Sequence, residues 1–580
     1  MLKILAQRIH NSRVCSVILC AVHLFVLGTG IYLIDYFSRQ EITNILKWWV
    51  PWNLRLNLLA ILFGVVISYG DLIGSFREFQ NRKGVYLVIL LLVAFSMASF
   101  VAPRTHRIFY DEDIYANIGQ NIAVKGETGY CNYGTFEYGE YYPHWVSYNK
   151  EPSGWPFLIS LAFQLFGTDE FYAFLLNNAI FAFGILIAFF ITWHLTGRYF
   201  SAFLAALVFA LIPHNLIWAN TAAAEPSASF FAGLTVLSLI VYLKTCKDRH
   251  LFLLLVLFPF ASQMRPESIL IFVLILFAVL IFSPKTLIDK KVWGIGILTT
   301  VFLLPHILHI YAVSGHSWGA EGAKFSLRFF PENISVNGSY YLNNRYFPVV
   351  FTLLSIIGLI FSRHSSKWRL VILLWFLIFW GIFLFFYAGS YRYGADVRFS
   401  LLSFMPLSIL AGMGGGFVRE KIAGYKIKDS GCSSLSSGKM DPIPCIILIV
   451  ILLSFIQFLP LIREVGQEAW GARYDHKYAQ EFIKKIPSRS IILTQNPTMF
   501  LLWKQNAIQT YAGINNPSLI QFLMKRYQGH VYFHYNYWCN TKSERNRRLC
   551  DGIKERYELE EIARAREQDY EYGLYRMSFR

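Results

Sequence analysis

Residues 84–125 read GVYLVILLLVAFSMASFVAPRTHRIFYDEDIYANIGQNIAVK, and the two halves of this stretch decide the fold. The first half, 84–103, holds no charge. An uncharged apolar run of about 20 residues is what an α-helix needs to cross the hydrocarbon core of a bilayer. Acids follow almost at once, in FYDEDIYANIGQNIA (109–123), with Ile114, Ile118 and Ile122 at i, i+4 and i+8. That spacing predicts an amphipathic helix lying along the membrane surface. The chain therefore leaves a membrane here and sets a charged helix at its rim.

The same pattern continues outward in both directions. Apolar, nearly uncharged runs predict further spans at 14–34, 54–75, 171–195, 199–217, 226–243, 251–264, 268–282, 292–313, 346–361, 370–387, 399–417 and 443–461, about thirteen in all. The apolar piece 156–167 is too short to cross and reads as interfacial or re-entrant. No small-residue cleavage site follows the first run, which reads as an anchor rather than a removed signal peptide. Of the 580 residues 55% are hydrophobic and 15% charged, against about 45–50% and about 25% in a soluble domain. The fold class expected is an all-α polytopic membrane domain carrying a small C-terminal α/β domain.

Charge supplies the orientation. With the N-terminus in the cytoplasm and the spans alternating, the cytoplasmic loops carry about 21 Lys and Arg in about 70 residues, against about 13 in about 130 for the outer loops before the tail. The same bias explains a net charge of +17, so no nucleic-acid partner is expected. The polar stretch 104–156, the loop 314–345 and the tail from 463 then lie outside. In the tail, SIILT, AIQTY and GHVYFHY read as strands, PTMFLLWK and PSLIQFLMKRY as helical runs, and ELEEIARARE with YEYGLYRMSF as a closing hairpin. The expected organisation is two extra N-terminal spans in 1–83, a membrane domain in 84–462 with its first outer loop at 104–156, and an α/β domain in 463–580.

Asp111, Glu112 and Asp113 open the surface helix, and Asp111 shares a face with Tyr115. A rim carboxylate can take a proton from an incoming nucleophile; an acidic first turn also complements the helix dipole, and from the residues alone both readings stand. Glu225 and Arg265 fall at span ends, as do Asp396 and Arg398 beside Tyr391 and Tyr393. A charge near hydrocarbon is costly unless paired or functional, and Arg donates two parallel hydrogen bonds to a phosphate. Against this, Arg265 has Glu267 as a local partner, Arg398 suits an interfacial anchor, and Glu225 suits a solvated loop.

DEDIYANI (111–118) resembles the D-E-x-x-Y-A-x-I signature that opens the first outer loop of the GT-C glycosyltransferases, in the branch of protein O-mannosyltransferases and ArnT-like aminoarabinose transferases. Four later segments match in order: NKEPSGWPFLISLAFQLFG (149–167), AAAEPSASFFAGL (222–234), QMRPESILIF (263–272) and YRYGADVRFSLLSFMPLSILAG (391–412). The resemblance runs from Asp111 to Gly412. It implies Asp111 as general base with Glu112 as the second acid of the pair. It also implies Arg265, Arg398 and Lys150 as donor-phosphate ligands, and Tyr115, Glu151, Glu225, Glu267, Tyr391, Tyr393 and Asp396 as substrate-site candidates. In the second segment the family's phosphate-approaching Lys aligns with Glu151, with Lys150 beside it, and the Arg that usually follows is absent from FYAFLLNN. The activity implied is inverting transfer of a sugar from a polyprenyl-phosphate donor to a glycan, lipid or protein acceptor at the outer face. A transporter or a non-catalytic subunit of the same fold are the alternatives.

No cofactor beyond the lipid-linked donor is expected. No metal is expected either, since His106, His144 and His316 lack ligand spacing. GMGGG (412–416) lacks the context of a phosphate loop and reads as helix packing. Asn333 and Asn337 match the glycosylation acceptor pattern. Cys539 and Cys550 are a possible disulfide if the tail lies outside; spacing alone does not establish the bond.

Overall fold

The structure, a computed structural model, describes residues 13–77, 83–362 except 318, 319 and 321, 366–429 except 393, 442–464, 470–541 and 544–580. Tyr393 and the Ser- and Gly-rich loop around 431–439 fall outside these.

Helices occupy every run predicted to span. Among the described residues eight are long and apolar enough to cross a membrane, or nine if the bent pair Tyr199–Leu211 and Pro213–Ala219 is one span. The chain is thus a multi-pass membrane protein. The other four runs form shorter helical segments, Asp248–Ser262, Pro266–Phe282, Val349–Phe361 and Ile443–Ile456; length and composition mark eight or nine spans, and the thirteen helical segments together fit the expected count. The bent pair turns by 62°. Its cause is Pro213, which has no N–H to donate and forces the preceding Ile212 out of helical geometry (φ −66°, ψ 119°).

The helix predicted at 54–75 is longer, Arg39–Arg77. Its first turns brace the loop that follows the third span. Lys47 Nζ donates to the Val146 carbonyl at 2.7 Å, and Thr128 N to the Lys47 carbonyl at 2.8 Å. GMGGG lies inside the helix Leu401–Asp429, where the lack of side chains lets helices touch. A Cβ on Gly412 would collide with the Ser201 carbonyl oxygen, and one on Gly414 with the Leu354 carbonyl.

Above one end of the bundle lies a single seven-stranded sheet, ordered β2-β1-β4-β3-β5-β7-β6. Its tail strands are β3 (Ile491–Thr494), β4 (Asn506–Gln509), β5 (Val531–Tyr535), β6 (Tyr557–Glu567) and β7 (Tyr570–Phe579), where the alternation of the sequence predicts them. β3 runs parallel to β4 and β5, and the β6–β7 hairpin closes one edge. Side chains alternate between faces: Ile491, Leu493, Val531 and Phe533 pack on one, Ile492 and Tyr532 on the other.

The other edge comes from far away in sequence. β1 (Tyr130–Glu137) and β2 (Glu140–Ser147), a hairpin of the 104–156 loop, join the tail sheet through Tyr133–Ile508 and Gly134–Ala507. The hydrophilic unit is therefore built from two stretches of chain, and it crosses the boundary drawn at 463.

Candidate active site

The helix Tyr110–Lys125 lies between bundle and sheet, not on an open membrane surface. Ile118 and Ile122 are buried, and so are Asn117, Gln120 and Asn121 on its polar side. The amides are satisfied locally. Asn117 Oδ1 accepts from Cys131 N at 2.7 Å, and Asn121 Nδ2 donates to the Gly129 carbonyl at 2.6 Å. A polar helix face buried in this way must find such partners.

Successive residues on a helix turn by about 100°, so the three acids of its first turn point three ways. Asp111 faces a cavity of about 430 Å³, its side chain 44% exposed and its Oδ2 4.0 Å from an Arg398 guanidinium nitrogen. Glu112 is fully buried against the bundle. It accepts from the backbone N–H of Arg107 (2.7 Å), Ile108 (3.0 Å) and Ala222 (2.8 Å), and its Oε2 lies 2.9 Å from His106 Nδ1. Asp113 faces the tail, within hydrogen-bond reach of His476 Nε2 (2.9 Å) and accepting from Asn496 Nδ2 (3.0 Å). The residue before this helix turn, Phe109, holds φ 37° and ψ −93°. That is a sparsely populated conformation for a bulky side chain, of the kind that gathers at functional sites.

Burial opposes charge on both His106 and Glu112, but their mutual attraction outweighs it. The Glu112 carboxylate, with help from Glu170, holds His106 well above an ordinary histidine, and His106 with the backbone N–H groups of Ile108 and Arg107 holds Glu112 below the usual carboxylate range. Glu112 is thus a saturated structural anchor, and it does not reach the cavity.

The cavity collects most of the other candidates. Asp111, Lys150, Glu151, Arg265, Glu267, Asp396 and Arg398 line its charged side, and Ile269, Leu270, Ile382, Phe383 and Phe386 its apolar side. Arg265 reaches Glu225 Oε1 at 2.5 Å and Glu267 Oε1 at 2.6 Å; Arg398 Nε lies 3.0 Å from the same Glu225 oxygen. Glu225 is fully buried, not a solvated loop acid, and it draws two guanidinium groups together. Both lean on the Phe399 ring, at 5.5 and 4.9 Å from its centroid. Each Arg carries five N–H donors in a planar fork, more than these acids use, so the pair can also receive an anion.

Glu151 reaches the same cavity through a close backbone approach. Gly154 N donates to the Gln263 carbonyl at 2.8 Å, and a Cβ on Gly154 would collide with that oxygen. This contact pins the start of the helix Gly154–Phe166 against the turn carrying Arg265. Burial, only partly offset by Arg265 and reinforced by Asp111, pushes the Glu151 carboxyl up to about 7. Tyr115 lies buried behind Asp111. Burial first, then Glu151 and Asp111, raise its phenol well above the ordinary value, leaving it a donor and not a base.

Tyr391 is not brought to this cavity. It is buried against Tyr340 at 5.3 Å between centroids, in a separate hollow with His214. Among the wall residues that the sequence did not single out are Lys324, Tyr387 and Phe399. Lys324 is the sole lysine of the 314–345 loop, a signal that was available. Its carbonyl accepts from Tyr387 N at 3.0 Å, which closes the wall. Asn333 and Asn337 hold that wall too, and are not exposed acceptors for glycosylation. Their buried amides donate to the carbonyls of Phe383, Leu384, Phe386 and Gly389. His106, Asp113 and His476 offer ligand atoms within 4.8 Å of one another, a grouping that spacing in the sequence did not reveal.

A helical bundle capped by an α/β unit, with a charged, half-apolar cavity among the ends of its helices, is a polytopic membrane protein of the GT-C fold. Two crystal structures of ArnT from Cupriavidus metallidurans match it. The one bound to undecaprenyl phosphate gives a TM-score of 0.52 at 12% identity, and the apo state 0.52 at 10%; each match covers 86% of this chain and 98% of that chain. An oligosaccharyltransferase from Archaeoglobus fulgidus in the apo form gives 0.47 at 12% identity, covering 83% of this chain and 73% of that one. No protein-family model matches the sequence, and no curated protein matches it. At these identities the likeness is one of fold.

Proposed function

We propose that this protein is an inverting glycosyltransferase that moves a sugar from a polyprenyl-phosphate donor to an acceptor at the outer face of the membrane. The observation that carries the reading is one cavity holding a half-exposed carboxylate, Asp111, 4.0 Å from Arg398, which shares Glu225 with Arg265, with an apolar wall alongside. A lipid-linked donor needs those parts: cations for its phosphate, hydrocarbon for its tail, and a base for the acceptor. The matching ArnT structure that holds undecaprenyl phosphate supports the same donor class.

In the reaction, Asp111 takes the proton of the acceptor nucleophile as its oxygen attacks the anomeric carbon. The bond from that carbon to the phosphate oxygen breaks, and the electron pair leaves on the phosphate. Arg265 and Arg398, with Lys150, stabilise the charge that develops there. A single direct displacement inverts the anomeric centre. Glu151 beside Lys150 tunes this cation cluster, carrying charge only when ionised. The cavity's charged groups lie at helix ends and turns: Asp111 and Glu225 open helices and Arg265 fills a turn. A transporter site would instead sit within broken helices near the midplane. The Cys539–Cys550 disulfide in the tail supports an oxidising, non-cytoplasmic location for that unit.

The test is sugar transfer in proteoliposomes from a panel of polyprenyl-phosphate sugars, wild type beside Asp111→Asn. Turnover of one donor by wild type, lost in the folded variant, supports the reading. Failure of wild type both to turn over and to bind any donor sinks it.

A further inference from the structure

A second and larger cleft, about 790 Å³, opens on the other side of the Tyr110–Lys125 helix. Tyr110 and Ile114, one turn apart, line it, while Asp111 on the adjoining face lines the first cavity. One helix turn is the partition between the two. Their chemistry differs sharply. Eight of the eighteen residues lining the first cavity are charged, but none of the thirteen described residues lining the second is, in a chain of net charge +17.

What lines the second cleft is aromatic rings and amides. Tyr130 and Trp145 come from the β1–β2 hairpin, Tyr511 and Trp538 from the tail, and Gln495 and Gln509 stand between them. Trp145 and Tyr511 are 42% and 49% exposed, so large ring faces are left to solvent. Gln495 follows β3 and Gln509 ends β4, two neighbouring parallel strands. The carboxyl ends of parallel strands are where α/β sheets bind ligands. The wall bearing Trp538 is stiffened by the Cys539–Cys550 disulfide, and Gln495 Nε2 lies 3.1 Å from Cys550 Sγ. Flat rings offer stacking faces for the C–H side of a pyranose, and amides offer both a donor and an acceptor to its hydroxyls. The lack of charge among the described lining residues disfavours an ionic ligand.

We propose that this cleft binds a neutral, hydroxyl-rich glycan and presents its end across the helix turn to Asp111 as the acceptor. The acceptor role rests on the transferase reading; glycan binding does not. The hydroxyl of the bound chain would lose its proton to Asp111, its oxygen would bond to the donor's anomeric carbon, and the phosphate would leave with the electron pair of the broken bond.

The experiment uses the full chain in nanodiscs without donor, titrated with neutral hexasaccharides of the α-glucan, β-glucan and mannan series. A hexagalacturonate and an uncharged Gly/Ser hexapeptide serve as controls. At least one neutral series should bind, with a Kd unchanged by raising NaCl to about 0.5 M. Trp538→Ala and Tyr511→Ala should each weaken that binding about tenfold, the loss of about 1.4 kcal/mol. Trp145→Ala, at an exposed position, gives the same readout should Trp538→Ala fail to fold. Absence of binding by every neutral series, binding indifferent to the aromatic variants, or preference for the acidic glycan or the peptide would each overturn the proposal. Glycan binding without sugar transfer from any donor would count against the transferase reading alone.

Discussion

Replacing either of two neighbouring acids, Asp111 or Glu112, should give opposite phenotypes, and the structure sets the size of each. Glu112 accepts three backbone N–H bonds and lies against His106, fully buried. In Glu112→Gln one carboxylate oxygen becomes an NH₂ that faces donors, so about two of these four contacts are lost. Hydrogen bonds to a charged group contribute about 1.5–3 kcal/mol each, which makes the loss about 3–6 kcal/mol. Asp111 is half-exposed, with a charged contact to Arg398 at 4.0 Å. Such a contact contributes at most about 1 kcal/mol. Loss of a general base, however, costs about 10²–10⁴ in rate. Thermal unfolding of the detergent-purified protein, followed by intrinsic fluorescence, is measured beside sugar transfer in proteoliposomes. Asp111→Asn should unfold with wild type and lose turnover. Glu112→Gln should melt several degrees lower and keep turnover per folded molecule. A Glu112→Gln protein with wild-type melting and no turnover would refute the assignment of these acids to different faces.

Three further outcomes follow from the same geometry. Glu151 has a folded pKa pushed up to about 7, so its stability contribution is complete below the ordinary carboxylate range and is lost as pH rises through about 7; Glu151→Gln should melt higher than wild type at pH 8 and alike at pH 5, and should flatten the weakening of undecaprenyl-phosphate binding above pH 7, both measured on one pH series. The raised pKa of His106 and the lowered pKa of Glu112 act in opposite directions: the Glu112 share of stability is lost as pH falls through its folded pKa and the His106 share as pH rises through its own, so the melting temperature should peak between them, and the peak should broaden in the His106→Gln, Glu112→Gln double variant. Gly154→Ala should cost about 1–3 kcal/mol by overpacking against the Gln263 carbonyl and should weaken undecaprenyl-phosphate binding through displacement of Lys150 and Glu151, as read by melting and by titration; wild-type values in both would show that the close approach is dispensable.

The sequence by itself determined what depends on sums along the chain. Hydropathy adds up over some twenty consecutive residues, so the spans were readable wherever the run was long, as at 84–103, and ambiguous in number where helices are short, as at Val349–Phe361. Short, largely apolar runs placed the tail strands that are buried on both faces, such as β3, and alternation with a period of two placed the closing hairpin. The order of charged segments from Asp111 to Arg398 pointed to the parts of one cavity, since charges near hydrocarbon are rare enough to stand out. Tertiary structure alone decided the rest. Three acids in a row look alike in sequence; which faces the cavity, the bundle or the tail depends on what packs against each side of a helix that turns about 100° per residue. Glu112 went to the bundle because the Ala222 N–H waits there, with His106 and the N–H groups of Arg107 and Ile108 beside it, and Glu225 was drawn inward by two arginines from separate turns of the chain. The β1–β2 hairpin joined a sheet more than 350 residues away through backbone hydrogen bonds, which carry almost no side-chain signature. That pairing, invisible along the chain, is what creates the second cleft and sets its aromatic rings beside the first.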